Sequence, residues 1–497
     1  MALVVNDRYA LHRLVGGGGM GRVYLATDLR ERGHVIALKS IAAAPDDEPL
    51  VEHLSHEFLV LADLAHPSLV RVFDFDHVRH VVGEAEDDEP GEALPAGTSF
   101  FTREYVAGAG LLTATARLSH TVILRLMLEL SGAVAYLHRQ GLLHRDLKPD
   151  NILVTDLTSD QRSTHLKILD FGLACVQGEG TAAVGTLRYL APELLLGAPT
   201  DTRAEMFALG LLMYEIFAGR GAFQGTSAAE LARAHATQDP DPLPTGIPLP
   251  VRDLVLALLS RDPAQRPGAT EVSRRLEHIL APEEPRGAAF WSALGATRLA
   301  GRRQELELLE SALQALASGS SGGAETSIQA VLLTGSPGIG KTRLVQAVRH
   351  RAQVRGLRLL AATCQPNADA FSGGRALLLP LILERPDLVT PEREVLRTVL
   401  SDRPLAPIEH RSADLTPRQA MVRIFDAARA LIEAAAQEQP LVLVMEDLHR
   451  ADEESLELFR HLLLHLPPGV ALLVGTSWPS SQAESPSIAS PPSCRMH

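Results

Sequence analysis

Residues His144 to Asn151 read HRDLKPDN. A carboxylate, an ammonium and an amide stand there at Asp146, Lys148 and Asn151. Asp146 has the chemistry to accept a proton from a substrate hydroxyl, and Lys148 to offset charge on a transferring phosphoryl group. Asn151 can hold Mg²⁺. Downstream, DFG at Asp170 to Gly172 supplies a second carboxylate for the metal, and GTLRYLAPE at Gly185 to Glu193 closes the segment.

Upstream lies VGGGGMGRVYLA, Val15 to Ala26, in which Gly16, Gly18 and Gly21 give G-x-G-x-x-G followed by Val23. That spacing alone is shared by glycine hairpins and dinucleotide loops. A dinucleotide fold needs a helix after the loop, whereas here a second strand pattern follows. Lys39 ends VIALK. A lone strand-end lysine is ordinarily a solvated charge, but after a glycine hairpin it can pair with the α and β phosphates of a nucleotide. From Tyr9 to about Phe75 short runs rich in Val, Leu and Tyr predict antiparallel strands. After SFFTREYV the period changes. Ile123, Leu126, Met127, Leu130, Val134 and Leu137 mark one helix face, with Ser119 and Thr121 as candidate caps. Helical sequence continues to about Leu280, so a strand-rich lobe precedes a helix-rich one.

In order and spacing, the motifs of residues 9–280 resemble those of bacterial serine/threonine protein kinases of the eukaryotic-like type. The resemblance implies an α+β bilobal fold that binds ATP and Mg²⁺. Val15 to Val23 would cover ATP, Ala37 would line the adenine pocket, and Lys39 would pair with Glu57 of HEFLVLADLAHP. Asp146 would be the base, with Asn151 and Asp170 holding the metal. Arg266 of RDPAQRP would pair with Glu193. HRDLK and GTLRYLAPE favour Ser/Thr over Tyr acceptors. Each charged residue taken alone reads as a surface or capping group; six motifs in register do not. The residues a pseudokinase usually lacks, Lys39, Asp146, Asn151 and Asp170, are all present.

Two positions depart from the family pattern. Glu205 stands where an aspartate usually braces the catalytic-loop backbone, one methylene longer with the same charge. Arg103 stands before the hinge, where an apolar residue is usual. A buried, unpaired guanidinium is costly, so Arg103 is expected to reach an acidic partner or solvent. Arg145 suggests a basic pocket that a phosphorylated loop residue would neutralise, with Thr181 of GEGTAAVGT as the candidate phosphosite.

A second phosphate loop follows a Pro-, Gly- and acid-rich linker at residues 281–298. GSPGIGKT places Gly335, Gly338, Gly340, Lys341 and Thr342 after the apolar run IQAVLL and before a helical pattern. Strand, loop and helix form the context in which backbone N–H groups cradle phosphate, Lys341 reaches the β and γ phosphates and Thr342 binds Mg²⁺. LVLVMEDLHRAD then ends a strand in Glu446 and Asp447, a carboxylate pair suited to metal–water coordination. Alternating strands and helices predict a parallel sheet covered on both faces. Together with LAGRRQELELL, these motifs resemble the AAA-like, STAND-type signal-transduction ATPases. Arg303 replaces that family's usual acid and Arg450 its usual Trp. After VALLVGTS the expected sensor, fifth strand and lid give way to a tail, 479–497, in which ten of nineteen residues are Ser or Pro. The reading is therefore a partial module at 299–478, from a truncated or frame-shifted gene product, with a disordered tail. Its phosphate-loop strand is expected at the sheet edge, binding nucleotide weakly and hydrolysing it poorly.

The formal charge of −13 over 497 residues argues against a nucleic-acid partner. Three widely spaced cysteines fit a reducing compartment, and no apolar run approaches the roughly 18 residues of a membrane helix. The expected protein is multidomain and cytoplasmic: a kinase fold, then an α/β P-loop NTPase sheet incomplete at its C-terminus. It would phosphorylate protein Ser/Thr hydroxyls, its own included, with self-association for that purpose. The competing class is a nucleotide-occupied switch or scaffold without phosphate transfer.

Overall fold

The computed structural model describes residues 3–18, 21–31, 33–41, 48–83, 94–157, 163–170, 175–176, 187–195, 197–225, 228–280, 302–318, 328–366, 368–390, 393, 395–396, 417–478 and 493–495. The chain divides into two compact units, Met1–Arg298 and Leu299–His497.

In the first unit, the short alternating runs become β1 (Leu3–Val5), β2 (Tyr9–Gly18), β3 (Gly21–Asp28), β4 (His34–Ser40), β5 (Val72–His77), β6 (Val81–Val82) and β7 (Ser99–Glu104). They form one antiparallel sheet in the order β5-β7-β4-β3-β2-β1-β6. Along β3, Tyr24, Ala26 and Asp28 are buried while the residues between them are not, as a period of two requires. The interior strand β7 buries all but its last residue, and β4 all but its first two. The helix Glu48–Ala62 packs on this sheet through Phe58, whose ring lies 5.5 Å from Phe75 and 5.9 Å from Phe101.

The helical part is built around His120–Arg139. All six residues of the predicted apolar face are buried, and Ser119 caps the first turn by accepting from Val122 N. This is the one helix among the described residues long and apolar enough to cross a membrane, and about two-thirds of it is buried in the fold. A second central helix, Thr202–Ala218, is buried nearly all round, capped by Asp201 and closed by Gly219 at φ 69°. At Gly210 a Cβ would come within 2.8 Å of Leu258, so glycine permits close approach of the helix Leu249–Leu258. Short strands β8 (Ala109–Gly110), β9 (Leu142–Leu143), β10 (Ile152–Thr155), β11 (His165–Ile168) and β12 (Cys175–Val176) flank the HRDLKPDN segment. β12 pairs with β9, and β10 lies between β8 and β11. The segment that runs into Asp170 is stitched to the sheet side. Ile168 N donates to Ser68 O at 2.8 Å, Val70 N to Ile168 O at 3.1 Å, and Lys167 pairs with Glu104 at 2.5 Å.

In the second unit, β13 (Ala330–Thr334), β14 (Arg358–Thr363), β15 (Leu441–Glu446), β16 (Ala471–Ser477) and β17 (Ser493–Arg495) make a parallel sheet in the order β14-β15-β16-β13-β17. Val442 and Val444 face one apolar layer, with Leu313, Leu344 and Val348 of the helices Arg303–Ala317 and Lys341–Val354. Leu443 and Met445 face the other, with Leu377, Leu431 and Leu458 of the helices Ser372–Glu384, Pro417–Ala436 and Glu453–His465. Continuous apolar strands are what a sheet covered on both faces demands.

One expectation fails here. β13 does not lie at the sheet edge, because Ser493, Cys494 and Arg495 of the tail pair with Leu332, Leu333 and Thr334. The tail is therefore not disordered over those three residues, and a fifth strand position is filled. The backbone groups on the outer side of β13 offer a ladder that an extended segment satisfies.

Candidate active site

The β2–β3 hairpin brings Gly16 opposite Val23 and Gly18 opposite Gly21. A Cβ on Gly21 would lie 2.2 Å from Ser40 O on β4, which no side chain tolerates, while one on Gly16 would meet nothing within 4 Å. Gly21→Ala is therefore expected to push the hairpin off β4 and raise the KM for ATP severalfold, measured by steady-state kinetics. Gly16→Ala is expected to leave the fold unchanged.

Ala37 is buried on β4, in register with Leu25 on one side and Arg103 on the other. Two residues on, Lys39 points to the same face. Its Nζ donates to Glu57 Oε1 at 2.7 Å, to Glu57 Oε2 at 2.9 Å and to Asp170 Oδ1 at 3.1 Å. Burial alone would lower the Lys39 pKa, but Glu57 and then Asp170 outweigh it and hold the ammonium above its ordinary value. Asp170 is half-buried, which alone would raise its carboxyl. Arg103 and Lys39 outweigh that and hold it well below the usual carboxylate range. The acidic partner expected for Arg103 is thus Asp170, at 2.8 Å.

HRDLKPDN is held from several directions. His144 is fully buried, and Arg145 takes φ 64°. Arg145 N donates to Glu205 Oε1 at 2.6 Å, and Glu205 Oε2 meets His138 Nε2 at 2.7 Å. The longer glutamate side chain thus bridges the HRDLKPDN segment and the end of the helix His120–Arg139. His138 carried no signal in the sequence beyond its place at a helix end. Asp146 Oδ2 meets Lys148 Nζ at 2.6 Å and accepts from Asn151 Nδ2 at 2.9 Å, while that same Nδ2 donates to Asp146 O at 2.8 Å. With its NH₂ so engaged, Asn151 keeps its carbonyl oxygen as an acceptor. Leu169 N donates to Asn151 O at 2.9 Å, tying this loop to Asp170. A small, open pocket lies beside Asp146, lined by Tyr189, Leu194, Thr200 and Glu205 among others.

Among the described residues no three His, Cys, Asp or Glu side chains cluster as a metal cage. An amide oxygen at Asn151 and a carboxylate at Asp170 fit a hard divalent cation that takes its other ligands from phosphate and water. Thr181, Thr186 and the Phe171–Gly172 pair lie outside the described residues.

In the second unit, Gly338 and Gly340 take φ 77° and 100°, which glycine adopts at no steric cost. Gly340 leads into the helix Lys341–Val354. Lys341 Nζ donates to Gly335 O at 2.7 Å and Ser336 O at 3.1 Å, closing the loop on its own lysine. Thr342 hydrogen-bonds Glu446, whose carboxyl is raised by burial against that bond, with Asp447 adding to the rise. Asp447 stands at φ 56°, and its N–H donates to Thr476 Oγ1 at 2.8 Å. Thr476, at the end of β16, was not legible as a site residue. Beside it Trp478 stacks on His449 at 4.3 Å.

Residues 9–276 match the protein kinase domain model, and residues 298–474 match the AAA ATPase domain model. The chain is 32% identical over 275 residues to the serine/threonine-protein kinase PknA of Mycobacterium tuberculosis, covering 54% of this chain and 59% of that protein. It is 32% identical over 283 residues to the serine/threonine-protein kinase pkn3 of Myxococcus xanthus, covering 53% and 48%. With the probable serine/threonine-protein kinase PknB of Corynebacterium glutamicum it shares 30% identity over 285 residues, covering 54% and 41%. The chain thus spans less than two-thirds of the length of the curated relatives it matches.

Proposed function

The chain belongs to the protein kinase family, and from that premise we propose that it transfers the γ-phosphate of ATP to Ser and Thr hydroxyls of proteins, itself among them. One arrangement carries this reading: within one unit, Lys39 bonds both Glu57 and Asp170, and Asp146 bonds both Lys148 and Asn151.

Lys39, fixed by Glu57, binds the α and β phosphates under the hairpin Val15–Val23, with Ala37 against the adenine. Asp146 orients the acceptor hydroxyl and takes its proton. The acceptor oxygen bonds to the γ-phosphorus, the bond from that phosphorus to the β–γ bridging oxygen breaks, and ADP leaves. Lys148 offsets charge on the group in transfer. Asn151 and Asp170 would hold Mg²⁺, which when bound neutralises phosphate charge. The pocket beside Asp146 receives the acceptor side, and Thr181 is the site of self-phosphorylation, which calls for two copies to meet. A cytoplasmic location belongs to the same reading. The C-terminal unit holds nucleotide phosphate through Gly335–Thr342, with Glu446 and Asp447 at its acid end.

The test is incubation of the full chain with γ-labelled ATP and Mg²⁺, followed by phosphoamino-acid analysis. Phosphoserine or phosphothreonine is expected, and the same label in a Lys341→Ala chain. Label recovered only as inorganic phosphate, lost in Lys341→Ala, would overturn the reading in favour of a nucleotide-occupied switch.

A further inference from the structure

Arg103 brings a full charge into a place where the site already has one. Its position on β7 is in register with Ala37 of β4 and Val72 of β5, and its side chain is 6% exposed. Its Nη1 donates both to Leu169 O at 2.6 Å and to Asp170 Oδ1 at 2.8 Å. Lys39 donates to that same Oδ1 at 3.1 Å. One carboxylate oxygen therefore carries two cations before any divalent ion arrives.

The two contributions of Arg103 differ in whether anything duplicates them. Its grip on Asp170 is duplicated by Lys39 at the same oxygen. Its charge is not, because Lys39 already faces Glu57 with both oxygens engaged. The bond to Leu169 O anchors the guanidinium independently of Asp170, so it stays in place when the carboxylate takes up a cation. Coulomb repulsion from the guanidinium then acts on that cation with less screening than in bulk water.

We propose that Arg103 is a positioning residue that serves as a resident counter-ion of Asp170 and weakens the site's affinity for divalent cations, so that it fills only at higher free metal than with an apolar residue there. This rests on the reading of Asp170 as a metal ligand. The substrate chemistry is unchanged; what Arg103 sets is the metal concentration over which the kinase site becomes loaded.

The experiment is a Mn²⁺ titration followed by electron paramagnetic resonance, on the full chain with a non-hydrolysable ATP analogue. Every chain compared carries Lys341→Ala, so that the second phosphate loop contributes equally little throughout. Arg103→Met is expected to tighten Mn²⁺ binding by about tenfold, and Arg103→Lys, which keeps the charge, to stay near the parent value. Thermal unfolding checks the fold; should Arg103→Met not fold, Arg103→Gln, neutral but still a donor, is expected to shift the Kd the same way. An unchanged or weaker Mn²⁺ Kd in the folded neutral variant, with analogue binding retained, overturns the proposal. Asp170→Asn separates the two levels. If it leaves Mn²⁺ binding intact, Asp170 is no ligand and the reading beneath the proposal fails. If it abolishes binding while Arg103→Met does not tighten it, only the counter-ion role is lost.

Discussion

Asp146→Asn is expected to lower phosphate transfer by roughly a thousandfold, within the range attributed to a positioned general base. The amide preserves size and can still meet Asn151, but it cannot take a proton and no longer balances Lys148, whose ammonium lies 2.6 Å from Oδ2 in the wild type. Lys148 and the Asp146 carboxylate are both partly exposed, so water replaces much of the lost pairing. Stability is accordingly expected to change by less than about 1 kcal/mol. Single-turnover label incorporation and a melting curve on the same sample check both halves. A variant retaining more than about a tenth of the wild-type rate would remove Asp146 from the role of base.

Arg266→Ala is expected to destabilise the first unit by about 3–5 kcal/mol, the cost of leaving a buried charge without its partner. The Arg266 side chain is 0% exposed. It donates to Glu193 Oε1 at 2.5 Å and Oε2 at 2.8 Å, to Ser260 O at 2.7 Å, to Arg203 O at 3.0 Å and to Arg261 O at 3.3 Å, over the face of Phe207 at 4.8 Å. Alanine strands the Glu193 carboxylate and three carbonyls at once. For a unit of this size the loss corresponds to a melting point lower by about 10 °C. Calorimetry on the full chain reads the shift. A double variant, Arg266→Met with Glu193→Leu, is expected to recover part of it, because replacing both members of a buried pair costs less than removing one. Equal losses in the single and double variants would assign the effect to packing around Phe207 instead.

These two residues were legible for different reasons. Asp146, Lys148 and Asn151 lie within one short segment, and their types and offsets state the chemistry directly. Arg266 and Glu193 are 73 residues apart, and only the resemblance to a family linked them. Where neither locality nor resemblance helped, the sequence was silent. The His138–Glu205 contact spans 67 residues and Arg103–Asp170 spans another 67, and no period or motif connects their ends. For Arg103 the physics of burial required an acid or water nearby, without identifying which. β17 fell inside a Ser/Pro-rich tail whose composition favours disorder. Its pairing with β13 comes from an open ladder elsewhere in the chain, which local composition cannot express. The sheet orders followed the same division: strands were visible as alternation, whereas β1 and β6, three and two residues long, were too short to show it.

The stitching of residues 166–170 to the sheet has a mechanical meaning. Ser68, Val70, Arg103 and Glu104 each hold that segment, through main chain or side chain, so sheet and helices are fastened along one side of the cleft. β3 is held to β4 along its length, with Arg22 opposite Ser40, whereas on the β2 side of the hairpin Val15 is exposed and a side chain on Gly16 would meet only open space. Within the first unit, nucleotide is accordingly expected to enter and leave past the open Val15–Gly16 edge, while Asp170, next to the bonds that hold Leu169, stays fixed.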